Sequence, residues 1–339
     1  MRTSIYPAAP AGSRHKARVA SFAKLATLAI AAAPLAAMAW THKPVKVLVP
    51  APAGGTADIV ARVVAEALSA EIGQPVIVEN KPGAGGAIAV EALKGSPPDG
   101  QTLLIAASNI LTEVPLVMKT RFDPVKDVKP VTMVGRANMV LVAASSVPAN
   151  DLKGLVGTLK TQHGGKGSFA SYTAGTSSHY AGLIFAKKAG LDLAHVPFPG
   201  SPAALQQVMG GQVDIMFDGV PTSLPLLKGG KLKAFGVAAK TRSVHLPEVP
   251  TMAEQGYPEI DFSNWVGTVV SAQLPPELVD RINLATLKAV MSPKVRDRLA
   301  AAGFEPSVSE SPDKLAQMVK ADFERNAKIV KAFDIRLEQ

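Results

Sequence analysis

The sequence predicts an α/β protein with mainly parallel sheets. Short apolar runs typical of buried strands alternate with segments of helical periodicity between residues 45 and 217. The composition, 47% hydrophobic and 19% charged, is that of a globular chain with a substantial core. Beyond Pro275 the pattern is helical only, and no Gly/Ser-rich linker divides the 339 residues. Because these last helices need a sheet to cover, we expect two lobes between which the chain crosses and returns.

The elements follow from local pattern. Residues 45–50 are predicted as a buried strand, followed by a loop and by a helix whose apolar residues recur at helical spacing until Gly73. The other predicted strands are residues 76–78, 102–106, 140–143, 168–171, 194–197 and 214–217. The other predicted helices are residues 151–162, 177–189, 203–209, 277–291, 294–302 and 312–333.

Composition and charge exclude several classes of site. Without cysteine the chain has no disulfide, thiol nucleophile or thiolate metal site, and none of its six histidines is spaced as in a zinc-binding helix. The net charge is +9, but five of the 36 basic and none of the 27 acidic residues lie in residues 1–39. The remaining net charge is ordinary for a solvated surface, and four Tyr and two Trp offer little for base stacking.

The first 39 residues have the three parts of a secretory signal peptide. A basic stretch without acidic residues precedes an apolar run over residues 25–39, which ends in Ala37-Met38-Ala39 ahead of Trp40. A membrane anchor is the alternative, but this run is shorter than the roughly 20 residues that a spanning helix needs. We expect cleavage after Ala39 and export of the remainder.

Two similar loops carry the candidate binding chemistry. Residues 52–58 and residues 172–178 each join a predicted strand to a helix start, with small hydroxyl side chains and free backbone N–H groups. The first turn of a helix has four unpaired N–H groups and about half a positive charge, which favours a small anion. Two such ends facing one cleft would hold a carboxylate without an arginine. Alternatively, Thr56, Thr176 and Ser177 are only N-caps.

Two further motifs match catalytic or cofactor patterns incompletely. The stretch GAGGAI at residues 83–88 follows a strand as a dinucleotide fingerprint would, but Ile88 replaces the required small residue. The stretch GTSSH at residues 175–179 is similar to a nucleophile elbow, with His179 where the motif has glycine. A secreted hydrolase using Ser177 and His179 is therefore the rival class, and an anion or phosphate scavenger is a third.

Eight motifs between residues 43 and 251 together carry a family resemblance. They are KPV (43–45), VPAPAGGTAD (49–58), GQPV (73–76), ENKPGAGG (79–86), PDGQTLL (98–104), GTSSH (175–179), GGQVD (210–214) and LPEVPT (246–251). The chain resembles the tripartite tricarboxylate transporter substrate-binding proteins, also called the Bug family, over nearly all of residues 43–335.

The resemblance implies a two-lobed clamshell fold of the type II periplasmic-binding-protein class, each lobe a mainly parallel sheet flanked by helices. Lobe 1 would comprise residues 40–138 and 268–339, and lobe 2 residues 139–267. The resemblance further implies a monomeric periplasmic receptor, not an enzyme, that captures a small carboxylate for a tripartite tricarboxylate-type membrane permease. A mono-, di- or tricarboxylate, an acidic amino acid or an aromatic acid would fit, with no cofactor, metal or nucleic acid.

The family's ligand contacts carry over by motif to sixteen residues of this sequence. They are Ala53, Gly54, Gly55, Thr56, Asp58, Ser108, Asn109, Thr173, Gly175, Thr176, Ser177, His179, Phe198, Gly200, Ser201 and Asp218. The turn at residues 83–86 is then structural. Asp58 would either cap the N–H groups of its own loop or hold a water or a ligand amino group. The stretch Phe198-Pro199-Gly200 lacks the basic residue common in the family, which leaves the identity of the ligand open.

Overall fold

The computed structural model describes residues 40–162, 164–306 and 311–337, together with Met1 and Thr3. The expected signal peptide therefore lies outside the described residues. Within the described ranges, no helix has the length and apolarity needed to cross a membrane.

The described residues alternate between strands and helices. The strands are β1 (Val45–Val49), β2 (Val76–Asn80), β3 (Thr102–Ala107), β4 (Val128–Ala137), β5 (Met139–Ala144), β6 (Ser168–Ser171), β7 (Ala194–Pro197), β8 (Ile215–Gly219), β9 (Leu232–Ala238), β10 (Asn264–Ser271) and β11 (Glu305–Pro306). The helices are α1 (Thr56–Ile72), α2 (Ala87–Lys94), α3 (Asn109–Thr112), α4 (Val114–Val117), α5 (Leu152–Gln162), α6 (Ser177–Ala189), α7 (Ser201–Met209), α8 (Val220–Lys228), α9 (Pro276–Met291), α10 (Pro293–Ala301) and α11 (Pro312–Phe333). The predicted elements are confirmed, and those with predicted bounds end within two residues of them.

Two sheets organise these elements into two lobes, as predicted. The first sheet has the order β11-β4-β10-β3-β1-β2 and the second the order β7-β6-β8-β5-β9. Each sheet is mixed, whereas mainly parallel strands were expected: β1 is parallel to β2 and β3, and β6 to β7 and β8, but β5 and β10 are antiparallel to their neighbours. Parallel neighbours need a helical crossover. The chain enters β5 directly from the other lobe, so this strand runs against its neighbours.

The crossing points lie at one end of both sheets. Asn138 alone separates β4 in the first sheet from β5 in the second. The return comes before Asn264, because β10 pairs with β4 of the first sheet from Asn264 onward. The boundary expected at residues 267 and 268 thus falls inside a strand of the first sheet.

Each lobe has its own apolar core, and the last helix touches both. Leu315 and Val319, near the start of α11, pack in the core of the first lobe. Ile329, Val330 and Ile335, at its other end, pack against the core of the second lobe. Residues 268–339, expected in lobe 1 alone, therefore include a helix that spans the two lobes.

Candidate functional site

A cleft with a volume of about 90 Å³ lies between the two lobes. Seven of the sixteen expected site residues line it: Gly55, Thr56, Asn109, Thr173, Thr176, Gly200 and Ser201. The other lining residues, which the sequence analysis did not select, are Pro50, Ala51, Pro52, Ala57, Gly85, Ala107, Ile110, Ala137, Met139, Tyr172, Gly219, Asn264 and Val266. None of these described lining residues carries a charged side chain, and most are small or apolar.

The first-lobe wall is the loop after β1 and the start of α1. Gly55 is the N-cap residue of α1, with extended backbone angles of φ −74° and ψ 163°, and it has no side chain to cap the helix. Thr56 and Ala57, the first two helical residues, both line the cleft. Their N–H groups belong to the first turn, which has no intrahelical acceptors and carries the positive end of the helix dipole. This wall is suited to an anion.

Asp58, in the same turn, does not line the cleft. It is buried, and its carboxylate accepts hydrogen bonds from Gly54 N, Arg62 Nε and Asn80 Nδ2, each at 2.9 Å. Burial acts to raise the pKa of Asp58, but the hydrogen bonds from Arg62, Gly54 and Asn80 outweigh it and hold the pKa below its usual value. Of its two expected roles, the structure shows the capping of its own loop.

The second-lobe wall also contains a helix start, that of α6, but a carboxylate of the protein itself lies beside it. Thr176 is the N-cap residue of α6, and its hydroxyl donates to Thr173 O at 2.6 Å instead of capping the helix. The next residue, Ser177, meets a carboxylate: its Oγ lies 2.6 and 2.7 Å from Oε1 and Oε2 of Glu113. The backbone N–H of Ser177 also acts to lower the pKa of the Glu113 carboxyl. An internal anion therefore takes the position that the sequence analysis assigned to the ligand.

Glu113 is a residue of this wall that the sequence analysis did not select. It lies between the short helices α3 and α4 and is only 2% exposed. Burial raises the pKa of its carboxyl to about 7, although hydrogen bonds from Ser177 oppose the shift. Ser177 also accepts a hydrogen bond at 2.8 Å from Nδ2 of Asn264, which lines the cleft. Glu113 thus lies two hydrogen bonds behind the cleft surface.

Gly175 and His179 lie behind the second-lobe wall. The N–H of Gly175 donates to Nδ1 of His179 at 3.2 Å, and the His179 ring stacks on His195 with 3.9 Å between centroids. Burial lowers the pKa of His179 to about 3 and that of His195 to about 4, so both rings are neutral near pH 7. Among the described residues no hydrogen bond joins Ser177 to His179, so the geometry of a hydrolase pair is not formed.

Asp218 supports the third loop at the cleft. Its fully buried carboxylate accepts hydrogen bonds from Ser201 Oγ and Thr222 Oγ1 at 2.5 Å and from Ser223 Oγ at 2.8 Å. Burial raises its pKa, against the effect of these bonds. Asp218 holds Ser201 at the start of α7, where Ser201 lines the cleft. Phe198, which precedes this loop, packs against the core of the second lobe.

The remaining expected residues lie beside the cleft. Ala53 and Gly54 are on the exposed side of the first loop, and Gly54 adopts a φ of +78°. Ser108 is buried and donates to Asn264 Oδ1 at 3.0 Å. The turn at residues 83–86 has positive φ throughout, as in a tight structural turn, and it brings Gly85 to the cleft. In the described part of the chain, no three His, Asp or Glu residues are grouped as a metal site would need.

Comparison with known sequences gives one family. The model of the tripartite tricarboxylate transporter family receptor matches residues 60–335. Protein BugT of Bordetella pertussis is 32% identical over 316 residues, which are 93% of this chain and 96% of BugT.

Solved structures that superimpose on this chain include a periplasmic transporter and two proteins with bound carboxylates. A periplasmic transporter superimposes with a TM-score of 0.83 at 34% identity, covering 88% of this chain and all of the other. MatC from Rhodopseudomonas palustris with bound malate gives a TM-score of 0.79 at 31% identity, with coverages of 85% and 99%. An R. palustris protein with adipate gives 0.83 at 28% identity, with coverages of 88% and 99%.

Proposed function

We propose that this chain, which belongs to the tripartite tricarboxylate transporter receptor family, is a periplasmic receptor that closes its two lobes on a small carboxylate. It acts as a monomer, without cofactor or nucleic acid, and delivers the ligand to a tripartite tricarboxylate-type permease in the membrane.

The uncapped start of α1 at the cleft carries the proposal. Thr56 and Ala57 present first-turn N–H groups to a space without charged side chains, and the one nearby acid, Asp58, is bound to Gly54, Arg62 and Asn80. An anion at such a position is stabilised by the helix dipole and by direct N–H donation. The relatives with adipate and malate support a carboxylate as that anion.

The proposed ligand contacts are the seven expected residues that line the cleft. Gly55 and Thr56 lie on the first wall and Asn109 between the lobes, and the second-lobe contacts are Thr173, Thr176, Gly200 and Ser201. Asp58, Ser177, His179 and Asp218 act behind them by fixing the loops. Ala53, Gly54, Ser108, Gly175 and Phe198 remain predictions.

The proposed function contains no catalytic step. What supports this is the placement of Ser177, which is fully buried and has its hydroxyl between Glu113 and Asn264 instead of facing the cleft. A nucleophile needs a base within hydrogen-bond reach and access to substrate. His179 instead accepts a hydrogen bond from the backbone of Gly175.

The ligand class is tested by thermal denaturation with a panel of mono- and dicarboxylates, acidic amino acids and the matching amides. A ligand at 100 times its dissociation constant stabilises the closed form by about 2.7 kcal/mol, which raises the melting temperature of a chain this size by roughly 5 °C. We expect at least one acid to do so and its amide to have no effect. Equal stabilisation by acid and amide would contradict carboxylate recognition.

Export is tested on the full-length gene product. Because the small-x-small site ends at Ala39, we expect the protein in the periplasmic fraction. Its intact mass should equal that of the chain that starts at Trp40. A cytoplasmic protein that retains residues 1–39 would contradict both the signal peptide and the receptor function.

A further inference from the structure

The cleft offers two helix starts, and only one of them is free for a ligand. At α1 the N-cap is Gly55, and the first-turn residues line the cleft. At α6 the hydroxyl of Ser177 is bound to the buried carboxylate of Glu113. A ligand with two carboxylates would find a prepared position for the first and a resident anion at the second.

The charges around the second-lobe wall are negative. Tyr172 lines the cleft, and its hydroxyl has a pKa raised by burial first and then by the charges of Glu113 and Asp218. Of the two charged groups on α11 that act on Glu113, Arg325 lowers its pKa and Asp322 raises it, and Arg325 is half exposed. No cationic side chain lines the described cleft to balance these carboxylates. A second ligand anion at this wall is repelled.

Beside this wall, at the start of the short helix that follows β3 of the first lobe, a buried side-chain oxygen has no hydrogen-bond donor among the described residues. Asn109 lines the cleft and is 4% exposed; its Nδ2 lies 3.3 Å from Tyr172 Oη, while its buried Oδ1 has no partner among the described residues. Leaving a buried acceptor unpaired costs free energy that a ligand hydroxyl or amide N–H would recover.

From these observations, and resting on the proposed receptor function, we propose that Glu113 selects the ligand class. The receptor takes a monocarboxylate whose far end is uncharged and donates a hydrogen bond, and it discriminates against dicarboxylate dianions. The carboxylate binds at the start of α1, and the donor end lies at Asn109. The ligands held in the structures of two relatives, adipate and malate, are both dicarboxylates.

The test uses probes of matched length by calorimetric titration at pH 8. The pairs are 6-hydroxyhexanoate with adipate and 4-hydroxybutyrate with succinate, and hexanoate serves as the monocarboxylate without a donor. We expect each hydroxy acid to bind about tenfold more tightly than its diacid, because at pH 8 Glu113, with a pKa of about 7, either repels the diacid's second charge or must first take up a proton. Hexanoate is expected to bind several-fold more weakly than 6-hydroxyhexanoate.

Glu113→Gln tests the residue itself, because glutamine keeps the shape and one acceptor oxygen, replaces the other oxygen with an NH2 donor, and removes the charge. We expect the dissociation constant for adipate at pH 8 to fall about tenfold, and that for 6-hydroxyhexanoate to change less than about threefold. The control Glu248→Gln removes an exposed carboxylate that does not line the cleft. It should change neither value.

The outcomes separate this inference from the receptor function. If the unmodified protein binds the diacids as tightly as the hydroxy acids, or if Glu113→Gln leaves adipate binding unchanged, the selectivity is wrong while carboxylate capture stands. If no carboxylate binds, the receptor function is wrong and the selectivity with it. The comparison of diacids with hydroxy acids is made on the unmodified protein, so it tests the selectivity even if Glu113→Gln does not fold.

Discussion

Replacing Gly200 with alanine is expected to weaken carboxylate binding by between about tenfold and a hundredfold while each lobe stays folded. Gly200 belongs to the second lobe and has a φ of +121°. A Cβ there would lie 2.9 Å from Cδ of Pro52, on the first lobe, and closer still to its Cγ. Forcing atoms into a packed contact costs about 1–3 kcal/mol, and each 1.4 kcal/mol is about tenfold in affinity. Because Gly200 and Pro52 lie on different lobes, their overlap arises only when the lobes meet. It therefore lowers the affinity for the ligand and not the stability of either lobe.

Two controls separate this overlap from backbone strain. Gly211→Ala places a side chain at a φ of +69° with nothing within 4 Å, so it reports the cost of a left-handed φ. Gly200, at φ 121° and ψ 164°, lies in a region that essentially only glycine adopts, so its strain is larger and the Pro52 variant is the control that isolates the overlap. Pro52→Ala in the Gly200→Ala background removes the ring atoms that the new methyl meets and should restore binding relative to Pro52→Ala alone. Calorimetric titration of the single and double variants measures the coupling. Additive effects of the two substitutions would show that the loops do not meet on closure.

The sequence predicts most of this fold but not the connection between its lobes. Strands such as β1 and β6 are short apolar runs followed by helices of clear period, so local pattern identifies them. β4 contains Lys129, Pro130 and Gly135, which interrupt the apolar run even though the strand lies inside the first sheet. The sequence analysis therefore missed β4, and its lobe boundary after residue 267 falls inside β10. Tertiary pairing, which local pattern does not encode, determines both.

The candidate site shows the same division. The helix starts at Thr56 and Ser177 follow from glycine and hydroxyl residues after strands, and both are present where expected. That Glu113 fills the second of them could not be predicted, because the two residues are 64 positions apart and Glu113 lies between two four-residue helices without a motif. Only the packed structure brings an acid to a helix start that the sequence leaves open.

The buried Glu113 is also expected to make stability depend on pH. Its pKa is about 7 in the folded protein because of burial, against an ordinary value of 4.5. Between these values the folded state holds the proton more tightly than the unfolded state, so this residue's contribution to stability falls as pH rises from 4.5 through 7. Above that window the charged, buried carboxylate costs about 3 kcal/mol. Below pH 4.5 it is neutral in both states and costs nothing of this kind.

Glu113→Gln removes this dependence and should therefore be more stable than the unmodified protein by about 3 kcal/mol at pH 8, with the difference shrinking toward zero near pH 4.5. The other groups that face Glu113 are Tyr172, Tyr180, Arg325 and Asp322. They are present in both proteins, so the comparison isolates Glu113. Urea denaturation across pH 4.5–8 measures the difference, and Glu248→Gln should show none. If the stability difference stayed constant with pH, or if Glu113→Gln were the less stable protein at pH 8, the prediction would be wrong. Ionisation of Glu113 would then not lower the free energy of unfolding.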